Sequence, residues 1–299
     1  MELNQYDVSI LIPCYNERKN LERLLNALIK QKVSPPFFIR EIVVVASGCN
    51  DGSEEVVKKF IRRDKRVKLL TQPKRDGKAS AINFFLKRNK SDIIVMESAD
   101  TLPEEYAINN LLRPFISKKV GMTGGRPIPL NKYISLTNRI SSLSWHIQHE
   151  ISLRCPPKVG ELVAFRRIIE KIPEKTAADE ESISAIVQQK GYKVVYVPHA
   201  IVYNKAPEKI SEFIKQKERV HFGHLWIKKY QHYIVPSLNS FRVARALLNI
   251  LKKNPFKIFT IFPLALFESF ARLLGTIDFY LLKKDMCKWE SITTTKELL

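Results

Sequence analysis

Short apolar runs alternate with amphipathic stretches through the first hundred residues. Val8-Ser9-Ile10-Leu11-Ile12-Pro13 has the length of a buried strand and is closed by proline. Leu21, Leu24, Leu25, Leu28 and Ile29 then recur at helical spacing, with Asn20 as the expected N-cap and Pro35-Pro36 as the stop. Glu41-Ile42-Val43-Val44-Val45 predicts a second strand, followed by a helix over 54–63 and a short strand at Val67-Lys68-Leu69-Leu70. A helix carrying Ala79, Ile82, Phe85 and Leu86 leads into the run Ile93-Ile94-Val95-Met96-Glu97. This alternation predicts an α/β fold with a parallel sheet and helices on both faces. Ligands in such sheets bind outside the carboxyl ends of the strands. The polar cluster Ser98-Ala99-Asp100 falls at one of these ends, where an aspartate can hold a divalent cation against a diphosphate. The alternative is that Asp100 caps the segment starting at Leu102-Pro103-Glu104-Glu105.

Beyond Asp100, Gly121-Met122-Thr123-Gly124-Gly125-Arg126-Pro127 reads as a glycine-rich strand and turn, and residues 133–153 as a helix with Trp145, His146, His149 and Glu150. His146 and His149 lie on one helical face, but no third ligand accompanies them, so a helix surface or acceptor wall is the favoured reading. Gly160 to Arg167 reads as a strand entering a helix, and Gly191 to Pro198 as another strand.

From Ser240 the pattern changes. Phe241, Ala244, Leu247, Leu248 and Leu251 form one apolar stripe, beside Arg242, Arg245, Lys252, Lys253 and Lys257. Basic amphipathic helices of this kind lie on anionic membranes. Ile258 to Phe267 is uncharged, but ten residues containing Pro263 are too few to span a bilayer. Leu266, Phe270, Leu273, Leu274, Ile277 and Leu281 then share a face opposite Glu268, Arg272 and Asp278, which predicts an in-plane or packed helix. Docking onto the catalytic domain or a second subunit is the alternative to membrane contact.

Composition changes the picture in two ways. The 299 residues, 45% hydrophobic and 27% charged, are ordinary for a globular chain, but a net charge of +20 calls for an anionic partner: nucleotide phosphates, nucleic acid or an acidic membrane. Cys14, Cys49, Cys155 and Cys287 lie far apart with no C-x-x-C pair, which fits a reducing compartment without a zinc or disulfide framework. The polar start Met1 to Asp7 carries no signal-peptide pattern, and the expectation is a protein that stays on the cytoplasmic side. Neither a G-x-G-x-x-G nor a P-loop is present, so dinucleotide oxidoreductases and P-loop ATPases lose their support.

Four strand-end motifs together resemble family 2 glycosyltransferases, of the Rossmann-like GT-A fold, over roughly residues 8–205. They are Ile12-Pro13-Cys14-Tyr15-Asn16-Glu17, the loop Ala46-Ser47-Gly48-Cys49-Asn50-Asp51-Gly52-Ser53, the element Gly77-Lys78-Ala79-Ser80-Ala81-Ile82-Asn83, and Ser98-Ala99-Asp100 in the place of D-x-D. The resemblance implies that Pro13, Tyr15 and Glu17 line the base and ribose pocket, with Ser47 and Asp51 in the second loop of the donor site. It implies that Lys78 faces the donor diphosphate and that Asp100, flanked by Ser98 and Ala99, is the direct ligand of Mn2+ or Mg2+. Two departures matter: Ser47 replaces the family's base-contacting aspartate, and Ser98 replaces the first aspartate of D-x-D. UDP and GDP therefore both stay open as the donor nucleotide.

Ala178-Asp179-Glu180-Glu181-Ser182-Ile183, followed by Gly191-Tyr192, resembles the family's E-D-x-x-L…G-Y element, which supplies the catalytic base. Register places Glu180 at the base, with Asp179 the alternative; an acidic first helical turn would also suit the helix dipole. Gln216-Lys217-Glu218-Arg219-Val220 partly matches the Q-x-x-R-W of processive members, with Val220 in place of tryptophan, and makes Arg219 and His221 candidates for the diphosphate. The implied enzyme is an inverting, metal-dependent glycosyltransferase acting on a glycan or lipid-linked acceptor at the cytoplasmic membrane face, held there peripherally. A polyprenyl-phosphate acceptor is the near alternative, and a non-enzymatic nucleic-acid binder the distant one, since it leaves Asp100 and Asp179-Glu180 unexplained. A sugar-phosphate nucleotidyltransferase would carry a glycine-rich basic loop that residues 8–20 lack. The expected organisation is a catalytic domain over 1–235, with a donor half 1–115 and an acceptor half 116–235, and basic amphipathic helices over 236–299.

Overall fold

The computed structural model describes residues 5–131, 135–154 and 156–284. Cys155, Cys287, residues 1–4 of the polar start, the first two positions of the helix expected over 133–153, and residues 285–299 of the C-terminal segment lie outside the described residues.

The apolar runs become strands as the pattern requires. β1 (Tyr6–Cys14), α1 (Arg18–Ile29), β2 (Phe37–Ser47), α2 (Ser53–Arg63), β3 (Val67–Gln72), α3 (Lys78–Leu86) and β4 (Ile93–Glu97) alternate in order. The strands β3, β2, β1 and β4 lie side by side and parallel. Side chains leave the sheet alternately, so neighbouring residues enter different cores. Val8, Ile10 and Ile12 pack with Leu21, Leu24, Leu25 and Leu28 of α1, whereas Leu11 packs with Ile82 and Phe85 of α3. Those four fully buried leucines contribute roughly 1.5–3 kcal/mol each in burial.

α1 begins at Arg18, with Glu17 at the N-cap position, and not after Asn20. Asn20 is buried and donates its Nδ2 to Glu17 Oε2 at 2.9 Å, so a residue expected to cap the helix instead braces its start. No helix begins at Leu102: Thr101–Pro103 is a short strand, β5, and the next helix, α4 (Ala107–Leu112), starts later. Asp100 is therefore not a helix cap.

The second half adds β6 (Val120–Pro129), α5 (Leu136–Ser152), β7 (Leu162–Arg166), α6 (Asp179–Gln189), β8 (Lys193–Asn204) and α7 (Ile210–Tyr230). The sheet continues from β4 as β7-β6-β8-β5. Here its direction is mixed. β7 is antiparallel to both β4 and β6, β8 is parallel to β6, and β5 is antiparallel to β8. The antiparallel β4–β7 pair positions the site, because Glu97, the last residue of β4, lies opposite Leu162, the first of β7.

The chain ends in α8 (Ser240–Lys253) and α9 (Ile258–Tyr280). Pro263 does not divide the apolar segment: it sits inside α9, and Pro255–Tyr280 is long and apolar enough to cross a membrane by length and composition. The ten-residue limit expected from Ile258 to Phe267 is thus corrected, because the two apolar stretches form one helix. α8 and α9 share an apolar cluster with α5 and α7 through Ile140, Leu143, Phe213, Ile250, Ile261 and Leu264.

Candidate active site

At the carboxyl end of β4 a cleft of about 250 Å3 is lined by Lys78, Ser98, Asp100, Glu161, Asp179, Glu180 and Arg219. They arrive from α3, the turn after β4, the residue before β7, α6 and α7. Thr101 Oγ1 reaches both the Ser98 carbonyl, at 2.7 Å, and the Glu97 carboxylate, fixing the turn that carries Asp100. Lys78 opens α3, while Asp179 and Glu180 open α6. Asn83 of α3 clamps the backbone of Ile172, donating to its carbonyl at 2.9 Å and accepting from its N–H at 2.8 Å. This ties the approach to α6 against α3. Across the gap Lys78 Nζ meets Glu180 Oε1 at 2.5 Å.

α7 brings Arg219. One turn on, a Cβ at Gly223 would lie 2.9 Å from the Ala178 Cβ, so only glycine lets α7 come this close to the start of α6. On the far side of the cleft stand Trp145 and Gln148 of α5 with Lys158 and Lys217. Lys158 donates to Gln148 Oε1 at 3.2 Å, and Lys217 to Ser144 Oγ.

Crowded carboxylates in a buried setting distribute charge unevenly. Burial pushes Asp179 up to about 7; Lys78 opposes the rise and Glu180 adds to it. Burial would raise Glu180 as well, but this half-buried carboxylate is held below the usual range by the charge and hydrogen bond of Lys78. Lys78 is raised in turn, because the two carboxylates outweigh its burial. Burial, then the charges of Asp100 and Glu180, raise Glu161 to about 7. Glu97 rises to about 8, again through burial, despite the Thr101 hydrogen bond. The pair at the start of α6 has therefore split into two roles. Glu180 is committed to Lys78, while Asp179 takes up protons near neutrality and its buried Oδ1 has no hydrogen-bond partner among the described residues.

The oxygen-rich corner fits a hard divalent cation only in part. No group of three or more His, Cys, Asp or Glu among the described residues forms a ready-made metal site. Asp100 and Glu161 nonetheless repel one another at one end of the cleft. Two such carboxylates suit a cation that takes its remaining ligands from phosphate oxygens and water.

Lys78, Ser98, Asp100, Asp179, Glu180 and Arg219, all expected from the sequence, do converge on this cleft. Others are occupied locally at the same sheet edge. Ser47 is buried and donates to Gln72 Oε1 at 2.6 Å. Asp51 accepts from Arg18 N–H at 2.9 Å and from the N–H and hydroxyl of Ser53, the first residue of α2. Ala99 is buried in the core. Glu17 accepts from Asn20, and the Arg75 guanidinium lies 4.1 Å from the Tyr15 ring centroid. Pro13 sits in β1, paired with Val45. His221 is turned away, its Nε2 3.1 Å from Thr276 Oγ1 of α9, and does not line the cleft. His146 faces Glu150, and His149 Nδ1 lies 2.7 Å from the Tyr196 hydroxyl, so the two histidines make no metal pair. Glu161 and Lys158 were not singled out by sequence reasoning. The available signal was an acid directly before the apolar run Leu162-Val163-Ala164-Phe165.

A Rossmann-like sheet with its charged cleft at the strand ends defines a GT-A fold. The family model described as glycosyl transferase family 2 matches residues 9–170, and the chain belongs to that family. It is 26% identical over 251 residues to "Probable glycosyltransferase YdaM" of Bacillus subtilis, covering 78% of this chain and 57% of the relative. It is 22% identical over 224 residues to poly-beta-1,6-N-acetyl-D-glucosamine synthase of Staphylococcus aureus, covering 71% and 53%. The chain thus spans about half the length of these relatives. Among solved structures, a mannosyltransferase from Pyrobaculum calidifontis, in complex with GDP-Man and Mn2+, superposes with a TM-score of 0.66 at 18% identity, covering 94% of this chain and 88% of that one. At that identity the likeness establishes the fold.

Proposed function

We propose that the chain is an inverting, metal-dependent glycosyltransferase that moves a sugar from a nucleoside diphosphate to an acceptor hydroxyl. The observation that carries this is the division of labour at the start of α6: Asp179 with an unpartnered buried oxygen and neutral-range proton affinity, beside a Glu180 already neutralised by Lys78. A general base works best with a proton affinity near the operating pH. Asp179 therefore takes the proton from the acceptor hydroxyl as its oxygen attacks the anomeric carbon, and one displacement inverts that centre. Glu180 positions Lys78, and Arg219 supplies positive charge where the diphosphate departs.

Asp100, with Glu161 beside it, would hold Mn2+ or Mg2+; a bound divalent cation neutralises charge on the diphosphate leaving group. The surplus of carboxylates over cations at this end of the cleft supports that reading, since it would otherwise repel a diphosphate. Pro13, Tyr15, Glu17 and Asp51 border the donor at the same sheet edge, and UDP and GDP are both candidates. The test is transfer or hydrolysis of UDP- and GDP-sugars by wild type and Asp179→Asn. Turnover of one donor that the substitution abolishes is expected; turnover unaffected by it would remove Asp179 as the base.

A membrane-facing glycan or lipid-linked acceptor is supported by α9, which is inverted relative to a soluble helix. Its apolar Phe262, Leu266, Phe270 and Leu273 are exposed, while Asp278 is buried. Its inner face packs along α7, where a Cβ at Gly275 would lie 2.7 Å from the Glu218 carbonyl oxygen. A helix bound lengthwise to the catalytic part favours lying in the membrane interface over crossing it. Bases flank it at Lys252, Lys253 and Lys257 before and Lys283 and Lys284 after, as an anionic surface requires.

A further inference from the structure

A second cavity, of about 400 Å3, opens between the ends of α7 and α9, away from the carboxylate cleft. Its floor is aromatic. The Phe222 and Phe279 rings meet edge to face at 5.2 Å, as do Phe279 and Tyr280 at 4.8 Å, while Trp226 and Tyr230 are tilted against each other at 5.0 Å. Its remaining lining residues are all lysines: Lys175, Lys229, Lys283 and Lys284. Lys229 Nζ lies over the Tyr230 and Phe279 rings at 5.2 and 5.6 Å, and Lys284 pairs with the buried Asp278 at 2.8 Å. Among the described residues no carboxylate lines the cavity.

Four ammonium groups around an aromatic floor select a ligand with an anionic head and an apolar body. We propose that this cavity binds the phosphate headgroup of an anionic phospholipid. Two observations choose a lipid over a free phosphate. Tyr280 of the lining is exposed, as are Leu281 and Leu282, which stand between it and the lining residue Lys283 in the chain, so exposed apolar side chains adjoin the cavity and offer acyl chains a path away from the headgroup. Tryptophan, tyrosine and lysine together are also the side chains that settle at the headgroup level of a bilayer. The proposal extends the interfacial reading of α9, but the cavity can be tested without a membrane.

The experiment is calorimetric titration of the full chain with monomeric dihexanoyl phosphatidylglycerol, dihexanoyl phosphatidylcholine and sn-glycerol 3-phosphate. Wild type is compared with Lys175→Ala/Lys283→Ala and with a control pair on α2, Lys58→Ala/Lys59→Ala, folding being checked by circular dichroism. The expected result is a preference for the anionic lipid of roughly tenfold or more, lost in the cavity pair and kept in the control. Equal binding of the two lipids, or a preference that survives the cavity pair, overturns the proposal. Glycerol phosphate binding as tightly as the lipid overturns it too, in favour of a soluble phosphate. Sedimentation with phosphatidylglycerol vesicles separates the two claims. A protein that ignores vesicles but binds the short-chain lipid at the lysines has lost the interfacial reading and kept this site.

Discussion

Two regions at the same sheet edge handle their polar groups in opposite ways. The loops after β1 and β2 satisfy each other: Asn16 Nδ2 donates to Asn50 Oδ1 at 2.8 Å, Asn50 N–H donates back to Asn16 Oδ1 at 3.0 Å, and Asp51 holds Arg18 and Ser53. A few ångströms of sheet away, the cleft between β4, α3 and α6 gathers Asp100, Glu161, Asp179 and Glu180 around Lys78 and Arg219, and pushes two of those acids up to about 7. Satisfied loops make a rigid frame. A buried cluster with one oxygen of Asp179 unpartnered stores charge for chemistry, which is where perturbed groups concentrate.

The sharpest way to break this contrast is Asp179→Asn, nearly isosteric and uncharged. We expect kcat to fall by about 10²–10⁴-fold, as for loss of a general base, with donor affinity little changed. An equal substitution in the frame, Asp51→Asn, is expected to cost stability through weakened hydrogen bonds to Ser53 at the start of α2, by about 1 kcal/mol, and to act on donor affinity with a far smaller loss of kcat. Thermal unfolding beside single-turnover rates compares the two.

The pH profile gives the next effect. Asp179 accepts a proton only when ionised, so the rate rises with pH through about 7 and levels above it. Glu180 contributes to that elevation, so Glu180→Gln should move the acid limb to lower pH while lowering the rate through a misplaced Lys78.

Gly275→Ala probes the other seam. The new Cβ meets a backbone oxygen that cannot rotate aside, so α9 must lift from α7, at about 1–3 kcal/mol in denaturant unfolding. The smallest effect concerns Glu97, raised to about 8 when folded. A raised carboxyl contributes stability that is fully present below its unfolded value and is lost as pH rises through the folded value. Glu97→Gln removes that dependence, so the variant should gain on wild type as pH rises toward about 8, the gain levelling off above it. Melting curves at pH 6 and 9 check the sign.

Much of the frame was legible because period-2 and period-3.6 patterns fix which side chains face the core. The cleft was legible wherever a polar cluster ended a strand or opened a helix, as at Asp100, Lys78 and Asp179. Glu161 was hidden because its place depends on β7 running antiparallel to β4, and a continuous apolar run carries no direction. The choice between Asp179 and Glu180 was hidden for a related reason. It turns on Lys78, 102 residues away from Glu180, arriving from another helix. In α9 the stripe from Leu266 to Ile277 was legible but its continuity with Ile258 to Phe267 was not, since Pro263 sits inside the helix, and which face looks outward depended on α7 taking the polar one.

The central claim is that the carboxylate cleft binds a nucleoside diphosphate together with a divalent cation held at Asp100. Calorimetric titration with UDP and GDP, in manganese, magnesium or EDTA, on wild type and Asp100→Ala, tests it most directly. Binding of one nucleotide that requires the cation and is lost in the variant is expected. Binding indifferent to the cation and to Asp100, or no binding to a folded protein, would contradict it.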